Sequence, residues 1–451
     1  MAGKAHHEKN NGARLVEGSI AGHLVGQTLP MIVGIAAIMS IGIIDAYYIG
    51  QLGSAELAAV SFIFPVTQAL SSLGVGVMAG IASVVSRALG RGEADHAEGL
   101  ANLGFVLAAA TGLVLAALLY WLRGPLFELM RADGELLPLI DAYMAPYALG
   151  FVLLPAMMGV NGALRAQGAA RRSMAILLTM AVVNWVLDPI LITGAFGFEG
   201  FGIAGAAYAT LASWAISGAV GFWMLATTDI AFAPSAIKRC KWKRDTGALA
   251  RVSGPAAFSN SINPIGLSIL TAFLAGAGQD AVAGFGAGGR VQSFATVPML
   301  GLSSSIGAIV GQNWGAEQYD RARLALKQSS AFIVLYGLAV AALIVVFRDA
   351  IAGLFTQDPA VARELARYLL ISAWGYAGFG VFIVTNGALN AIDRAGLALA
   401  QSLARVLVIM VPFAWLLEAS LGSDAVYGSE LAANALGGAA AAFIAWRVFR
   451  R

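Results

Sequence analysis

Apolar runs of about 20 residues, separated by short polar or glycine-rich breaks, recur along the whole chain. Twelve are long enough to cross a bilayer as helices. The pattern predicts spans at Thr28–Ile49, Leu57–Val85, Leu100–Leu122, Leu137–Val160, Ala175–Ile192 and Ile203–Ala226 in the first half. Val252–Ala275, Val282–Val310, Ala331–Phe347, Leu369–Leu389, Leu397–Leu417 and Val426–Val448 follow in the second. The expected fold is an all-α polytopic membrane protein, its twelve transmembrane helices arranged in two six-helix bundles. The expected organisation is an N-terminal tail (1–26), a first lobe (27–226), a linker (227–251) and a second lobe with a short basic tail (252–451).

Composition agrees with that reading. The chain has 451 residues, of which 59 % are hydrophobic and 12 % charged. That is about half the charge share of an average soluble protein. The 54 glycines suit helices that approach closely in lipid. Met1–Gly26 lacks the apolar core of a signal peptide, so the first span is expected to be kept. Cys240 is the single cysteine, which excludes an intrachain disulfide, and His6, His7, His23 and His96 suggest no metal site. No Gly-x-x-x-x-Gly-Lys-[Ser/Thr] sequence is present, so direct use of ATP is not expected. Nothing points to nucleic acid.

The distribution of charge sets an orientation. With the N-terminus inside, 21 of the 28 Lys and Arg fall in cytoplasmic segments and five outside, while Arg290 and Arg405 lie within spans. The positive-inside tendency then predicts both termini in the cytoplasm and the protein in the cell (inner) membrane. Beneath this runs a repeat at an offset of 225 residues. Pro30 recurs as Pro255, Gly53 as Gly278, Gly90 as Gly315, Tyr143 as Tyr368, and Asn161-Gly162-Ala163-Leu164 as Asn386-Gly387-Ala388-Leu389. Six spans per half is an even number. The halves are therefore expected to relate by a pseudo-two-fold axis along the membrane normal, with a cavity between them.

The chemistry lies inside the spans. Two carboxylates are read as deep, Asp45 in the first span and Asp188 in the fifth, and an intramembrane acid is by default a functional candidate. Asn184 precedes Asp188 by four residues and shares its helix face. Pro189 denies the carbonyl of Trp185 its helical donor, and Pro30 invites a bend in the first span. These groups could bind a cation or hold a proton, or could simply lock helices together. In the second half, Leu270 and Phe413 stand at the repeat positions of the two acids, so coupling is expected in the first half alone. Asn260 and Asn263, with Met157 and Met180, are candidates for lining a substrate cavity. Gly76, Gly80, Gly284 and Gly288 read as packing residues. Arg290 and Arg405 receive no role.

With these residues in view, the whole chain resembles the multidrug and toxic compound extrusion (MATE) family. The resemblance rests on Asp45-Ala-Tyr-Tyr-Ile-Gly-Gln-Leu-Gly53, Asn161-Gly-Ala-Leu-Arg-Ala166, Asn184-Trp-Val-Leu-Asp-Pro189 and Gly202-Ile-Ala-Gly-Ala-Ala-Tyr-Ala-Thr210. It is similar to the DinF-type branch, whose cation site lies in the N-terminal lobe. That resemblance implies that Asp45, Asn184, Asp188 and Thr210 form the coupling site and that Pro30 marks the bend. Asn263 stands where the NorM-type branch has a glutamate, which argues against a second-lobe ion site.

The function so implied is secondary active export of lipophilic or cationic compounds, exchanged for protons or sodium ions by a monomer embedded in lipid. The coupling ion replaces any cofactor, and no enzyme activity is implied. Two other functions share parts of this pattern. A flippase for a lipid-linked precursor would favour a strongly basic cavity. An intramembrane aspartyl protease would use Asp45 and Asp188, but the Gly-x-Gly-Asp motif is missing.

Overall fold

The computed structural model describes residues 13–132, 134–195 and 197–450. His6 and His7 of the expected tail lie outside the described residues. The first half forms α1 (Ile20–Leu52), α2 (Ser54–Gly90), α3 (Ala94–Leu129), α4 (Leu137–Gly150), α5 (Leu153–Ala166), α6 (Ala170–Asp188) and α7 (Ile203–Leu225). The second forms α8 (Trp242–Ala277), α9 (Gln279–Gly315), α10 (Tyr319–Phe355), α11 (Pro359–Ser372), α12 (Tyr376–Ala391), α13 (Ala395–Leu403), α14 (Val411–Leu421) and α15 (Ser423–Phe449). No strand occurs among the described residues.

These helices make twelve spans. α4 and α5 form one span bent by 48°, α11 runs into α12, and α13 runs into α14. The expected spans fall on these helices, with Ile203–Ala226 ending one residue beyond α7 and Ala175–Ile192 running from α6 into the turn that follows it, and most helices continue past the apolar run. α10 starts at Tyr319, twelve residues before the apolar run at Ala331. The extra turns carry Arg321, Arg323 and Lys327, which a helix projecting beyond lipid keeps in water. Local signals set some ends: the Ser19 side chain accepts from the Gly22 amide ahead of α1. Asp358 accepts from Ala360 ahead of α11, with Pro359 at the first helical position.

Two large apolar cores mark the two lobes, and a small third cluster of Met31, Ala170 and Leu177 joins α1 to α6. One is built from residues between Ile49 and Leu249, the other chiefly from residues between Leu270 and Phe449. The exceptions are informative. Ile20 and Leu24, at the start of α1, belong to the second core, and Leu249, at the start of α8, belongs to the first. Leu24 and Leu249 are 225 residues apart, so each lobe lends the first turns of its leading helix to the other.

Close approaches between helices repeat with the same spacing. A Cβ on Gly90 would lie 2.0 Å from the carbonyl oxygen of Gln312, and one on Gly315 would lie 2.2 Å from that of Arg87. Gly162 would meet the carbonyl of Met78, and Gly387 that of Ser303, each at 2.6 Å. Each of these two contacts has its partner 225 residues on, as a two-fold relation between α2 and α9 requires. Gly76 and Gly80 pack against Ala257 and Ser253 of α8, and Gly284 and Gly288 against Glu364 and Tyr368 of α11. The glycines therefore serve packing, as read.

The first and last described segments both pack around the α9–α10 connection. Leu15 donates its amide to Gln312 at 2.9 Å, and Arg323 donates to the carbonyl of Phe449 at 2.8 Å. The connection after α7 carries one short 3-10 turn, Pro234–Arg239, before α8 begins at Trp242.

A buried acid pair in the first lobe and a buried guanidinium in the second

α1 and α6 pack side by side, and the Trp185 indole of α6 donates to Ser40 of α1 at 3.1 Å. That pairing sets Asp45 against the face of α6 that carries Asn184 and Asp188. The Asp45 carboxyl is directed at both side chains. Asn184 and Asp188 are completely buried. Asp188 is the last α-helical residue of its span, and Pro189 opens a π-helical turn, Pro189–Thr193. The proline cannot donate to Trp185, and the widened turn follows from that gap; such turns recur at functional sites. α1, by contrast, is one uninterrupted helix through Pro30.

Thr210 of α7 completes the set through Tyr143 of α4. The Tyr143 hydroxyl neighbours the Thr210 side chain and lies within electrostatic range of both carboxylates. It stacks on Tyr147 with ring centres 5.7 Å apart. Tyr143 belongs to the site, although in the sequence it stands out only as a repeat marker. Its signal was its recurrence as Tyr368.

The hydrogen bonding of this cluster is incomplete. Both Asp188 oxygens, both Asn184 amide atoms and Asp45 Oδ1 are buried without a hydrogen-bond partner, as is Thr28 Oγ1. Among the described residues, no basic group stands among the neighbours that act on either acid. Two like charges about 4 Å apart repel by about 4 kcal/mol at an effective dielectric of 20. A proton or small cation shared between them would remove that repulsion and satisfy the orphaned oxygens.

The second lobe corrects the expectation that deep acids are confined to the first half. Glu430 of α15 is 2 % exposed. Its carboxylate accepts from the Tyr368 hydroxyl at 2.9 Å and from Gln292. Arg405, also without an assigned role from the sequence, is 3 % exposed and sits in a π-helical stretch, Ala404–Met410. Its guanidinium donates to Asn434 at 2.5 Å and to Asn263, and lies 4.9 and 5.1 Å from the ring centres of Phe379 and Phe382. Glu430 is the acid that acts on it electrostatically, though the two do not touch.

The repeat explains why Glu430 escaped notice. α7 and α15 follow glycines of nearly the same shape, Gly202 (φ 60, ψ −139) and Gly422 (φ 57, ψ −131). Counted from these, Thr210 and Glu430 occupy the same helical position. The offset there is 220 rather than 225, so a fixed offset paired Glu430 with Gly205. Tyr143 with Thr210 and Tyr368 with Glu430 are thus counterparts.

The proposed cavity residues separate. Asn260 is exposed and donates to the carbonyl of Ala256 at 2.8 Å, and Asn263 is half-buried against Arg405. Met157 and Met180 are 1 % and 6 % exposed and pack inside the first core. Neither methionine lines an open cavity in this conformation. Arg290 is exposed.

A twelve-span, two-lobed helical protein with charged residues buried inside each lobe, Asp188 in the first and Arg405 and Glu430 in the second, is built as a polytopic membrane transporter. The MatE family profile matches residues 30–190 and 255–416. The two segments begin at the repeated prolines Pro30 and Pro255, and the chain belongs to this family. It is 35 % identical over 439 residues, covering 96 % of both chains, to a protein of Shewanella oneidensis named FAD transporter. It is 26 % identical to the multidrug export protein MepA of Staphylococcus aureus, covering 93 % of this chain and 92 % of that one. The structure superposes on that of the Vibrio cholerae MATE transporter VcmN with a TM-score of 0.91 at 26 % identity, over 98 % of both chains. The protein is a multi-pass membrane transporter of small molecules, not an enzyme.

Proposed function

We propose that this protein is a secondary active exporter in which a proton or sodium ion at Asp45, Asn184, Asp188 and Thr210 drives outward movement of lipophilic or cationic compounds. The observation that carries the proposal is the facing pair of acids with buried oxygens that nothing else satisfies. Occupation of the site removes one negative charge from a low-dielectric interior and so favours one arrangement of α1 against α6 over another. The energy is adequate, because one charge crossing 100 mV is worth about 2.3 kcal/mol. Multidrug proteins among the relatives support the substrate class. The face bearing the first and last described segments and the Thr227–Arg251 connection is taken as cytoplasmic in an inner membrane, on the count of basic residues. Uptake of a fluorescent cation into proteoliposomes, with proton and sodium gradients imposed separately, tests the reading. Transport indifferent to both gradients would end it.

A second substrate reading rests on a different observation. The relative at 35 % identity is named for FAD, an anionic molecule with flat rings, and Arg405 sits buried beside two stacked phenylalanines with its Nε–H unpaired. Such a guanidinium suits an anionic aromatic compound. Parallel efflux assays with FAD and with the cationic dye separate the two.

A further inference from the structure

On the face that carries the linker, away from both buried sites, the fold collects three side chains with the donor atoms of a metal centre. His96 comes from the first turn of α3, Cys240 from the end of the linker and Asp245 from the first turn of α8. One ligand atom from each lies within 4.8 Å of the other two. His96 Nε2 and Asp245 Oδ2 are already 3.2 Å apart. Ligands around a tetrahedral zinc ion, bonded at about 2.0–2.3 Å, stand about 3.3–3.7 Å from one another. The three atoms need only small rotations to close on a common centre.

The surroundings hold these atoms in place. The other nitrogen of His96, Nδ1, is 3.2 Å from Glu93 Oε2, so the ring is held between two carboxylates with Nε2 toward Asp245. A carboxylate behind the imidazole is the usual outer support of a metal-bound histidine. Asp245 is 2 % exposed, and its Oδ2 is aimed by the Lys241 amide at 2.8 Å. The Cys240 sulfur rests on Gly99 of α3, where a Cβ would stand 2.9 Å from it. Arg244 faces the other Asp245 oxygen, Oδ1, and Arg239 faces Asp95 and Glu98, while Arg91 shares Glu93 Oε2 with His96 and so fixes that carboxylate behind the ring. A protonated His96 between two carboxylates would account for the histidine contacts alone. It would leave the sulfur, the third member of the triangle, without a part.

We infer that His96, Cys240 and Asp245 form a site for a borderline-soft divalent transition metal of the zinc class, which ties the inter-lobe linker to α3. A thiolate, an imidazole and a carboxylate are the wrong donors for magnesium or calcium, which take oxygen ligands. Three protein ligands leave the fourth tetrahedral position to water. Binding replaces the thiol proton of Cys240, which departs to solvent. The inference stands apart from the transport reading, because it concerns neither the acid pair nor the substrate.

The test uses the full-length, tag-free protein in detergent, titrated with Co2+ as a spectroscopic probe and then with Zn2+. One equivalent of Co2+ is expected to give a thiolate-to-cobalt charge-transfer band that Zn2+ abolishes, and Mg2+ at the same concentration has no effect. Cys240→Ser removes the band, and His96→Ala weakens Zn2+ binding at least tenfold. Glu93→Gln, which leaves all three ligands in place, weakens it by about 10- to 100-fold. Since the band requires sulfur, weak binding by His6 and His7 cannot produce it. Cys240→Ser is nearly isosteric and is expected to elute and melt as the parent does without metal. Absence of the band at stoichiometric Co2+, or Zn2+ affinity unchanged in both Cys240→Ser and Glu93→Gln, overturns the site.

Discussion

Asp45→Asn separates a coupling role for the acid pair from a structural one. In the native site the Asp45 carboxyl faces Asp188 and Asn184, and five buried polar atoms of the three side chains lack partners. Each such orphan costs about 1–3 kcal/mol, and the mutual repulsion of two neighbouring carboxylates adds on the order of a few kcal/mol. Asparagine keeps the shape, removes the repulsion and brings an amide that can donate to Asp188. The variant is therefore expected to melt at or above the parental temperature. Transport is expected to move the other way. At about 2.3 kcal/mol per charge per 100 mV, one coupled ion sustains a substrate ratio of about 50-fold across the membrane. Without a group that loads and releases the ion, that ratio falls to about one. The assay is dye accumulation in proteoliposomes under an imposed gradient, alongside thermal unfolding of the same preparation. Parental accumulation by Asp45→Asn would refute the reasoning, and a marked fall in melting temperature would show that Asp45 is a packing residue.

Three further outcomes follow from the packing. Glu430→Gln leaves Arg405 buried without its nearest counter-charge and is expected to lower the melting temperature; adding Arg405→Met, the residue type at the repeat position Met180, restores it. Equal melting temperatures for the single and double variants would show that the two charges do not compensate. Gly315→Leu places a side chain where even a Cβ lies 2.2 Å from the Arg87 carbonyl, so the protein is expected to lose monodispersity, whereas Gly353→Ala, with nothing within 4 Å, changes stability by no more than about 1 kcal/mol. Lys238→Cys, placed on the exposed linker in a Cys240→Ser background, is expected to react with an impermeant maleimide only from the cytoplasmic side, and labelling from outside would invert the topology.

Span number, lobes and symmetry were legible because the bilayer demands long apolar runs, and because duplication leaves its mark on the residues that touch. Gly90 and Gly315 could be matched before their contacts with Gln312 and Arg87 were known. The acid pair was legible for a related reason: a charge in an apolar run stands out. The second lobe was harder to read. Glu430 lies eight residues into a helix whose start is moved by a loop of different length, so a fixed repeat offset hid it. Arg405 could be read as reaching for the membrane surface until Asn263, Asn434 and two phenylalanines were seen around it. The meeting of His96 with Cys240 and Asp245 joins residues about 145 positions apart, and no local pattern reports it.

The exchange of leading helices between lobes gives the prolines their meaning. α1 starts in the second core, with Ile20 and Leu24, and ends in the first, with Ile49; α8 starts in the first, with Leu249, and ends in the second, with Leu270 and Leu274. Pro30 and Pro255 fall between the two anchorages of their helices. Any rotation of one lobe against the other must therefore bend α1 and α8, and each helix is weakest where proline has removed an amide donor. Asp45 lies on the far side of Pro30 from the second core, so a charge change at the acid pair acts on the segment that this joint leaves free. Pro30→Ala restores the donor to the Gly26 carbonyl and is expected to stiffen α1. Spin labels on the ends of α2 and α9 opposite the linker face report the separation of the lobes. In the parent their distance distribution is expected to change between acid and neutral pH, and in Pro30→Ala that change is expected to shrink while Asp45 and Asp188 remain intact. A distribution as responsive as the parent's would place the joint elsewhere and leave α1 a rigid strut between the lobes.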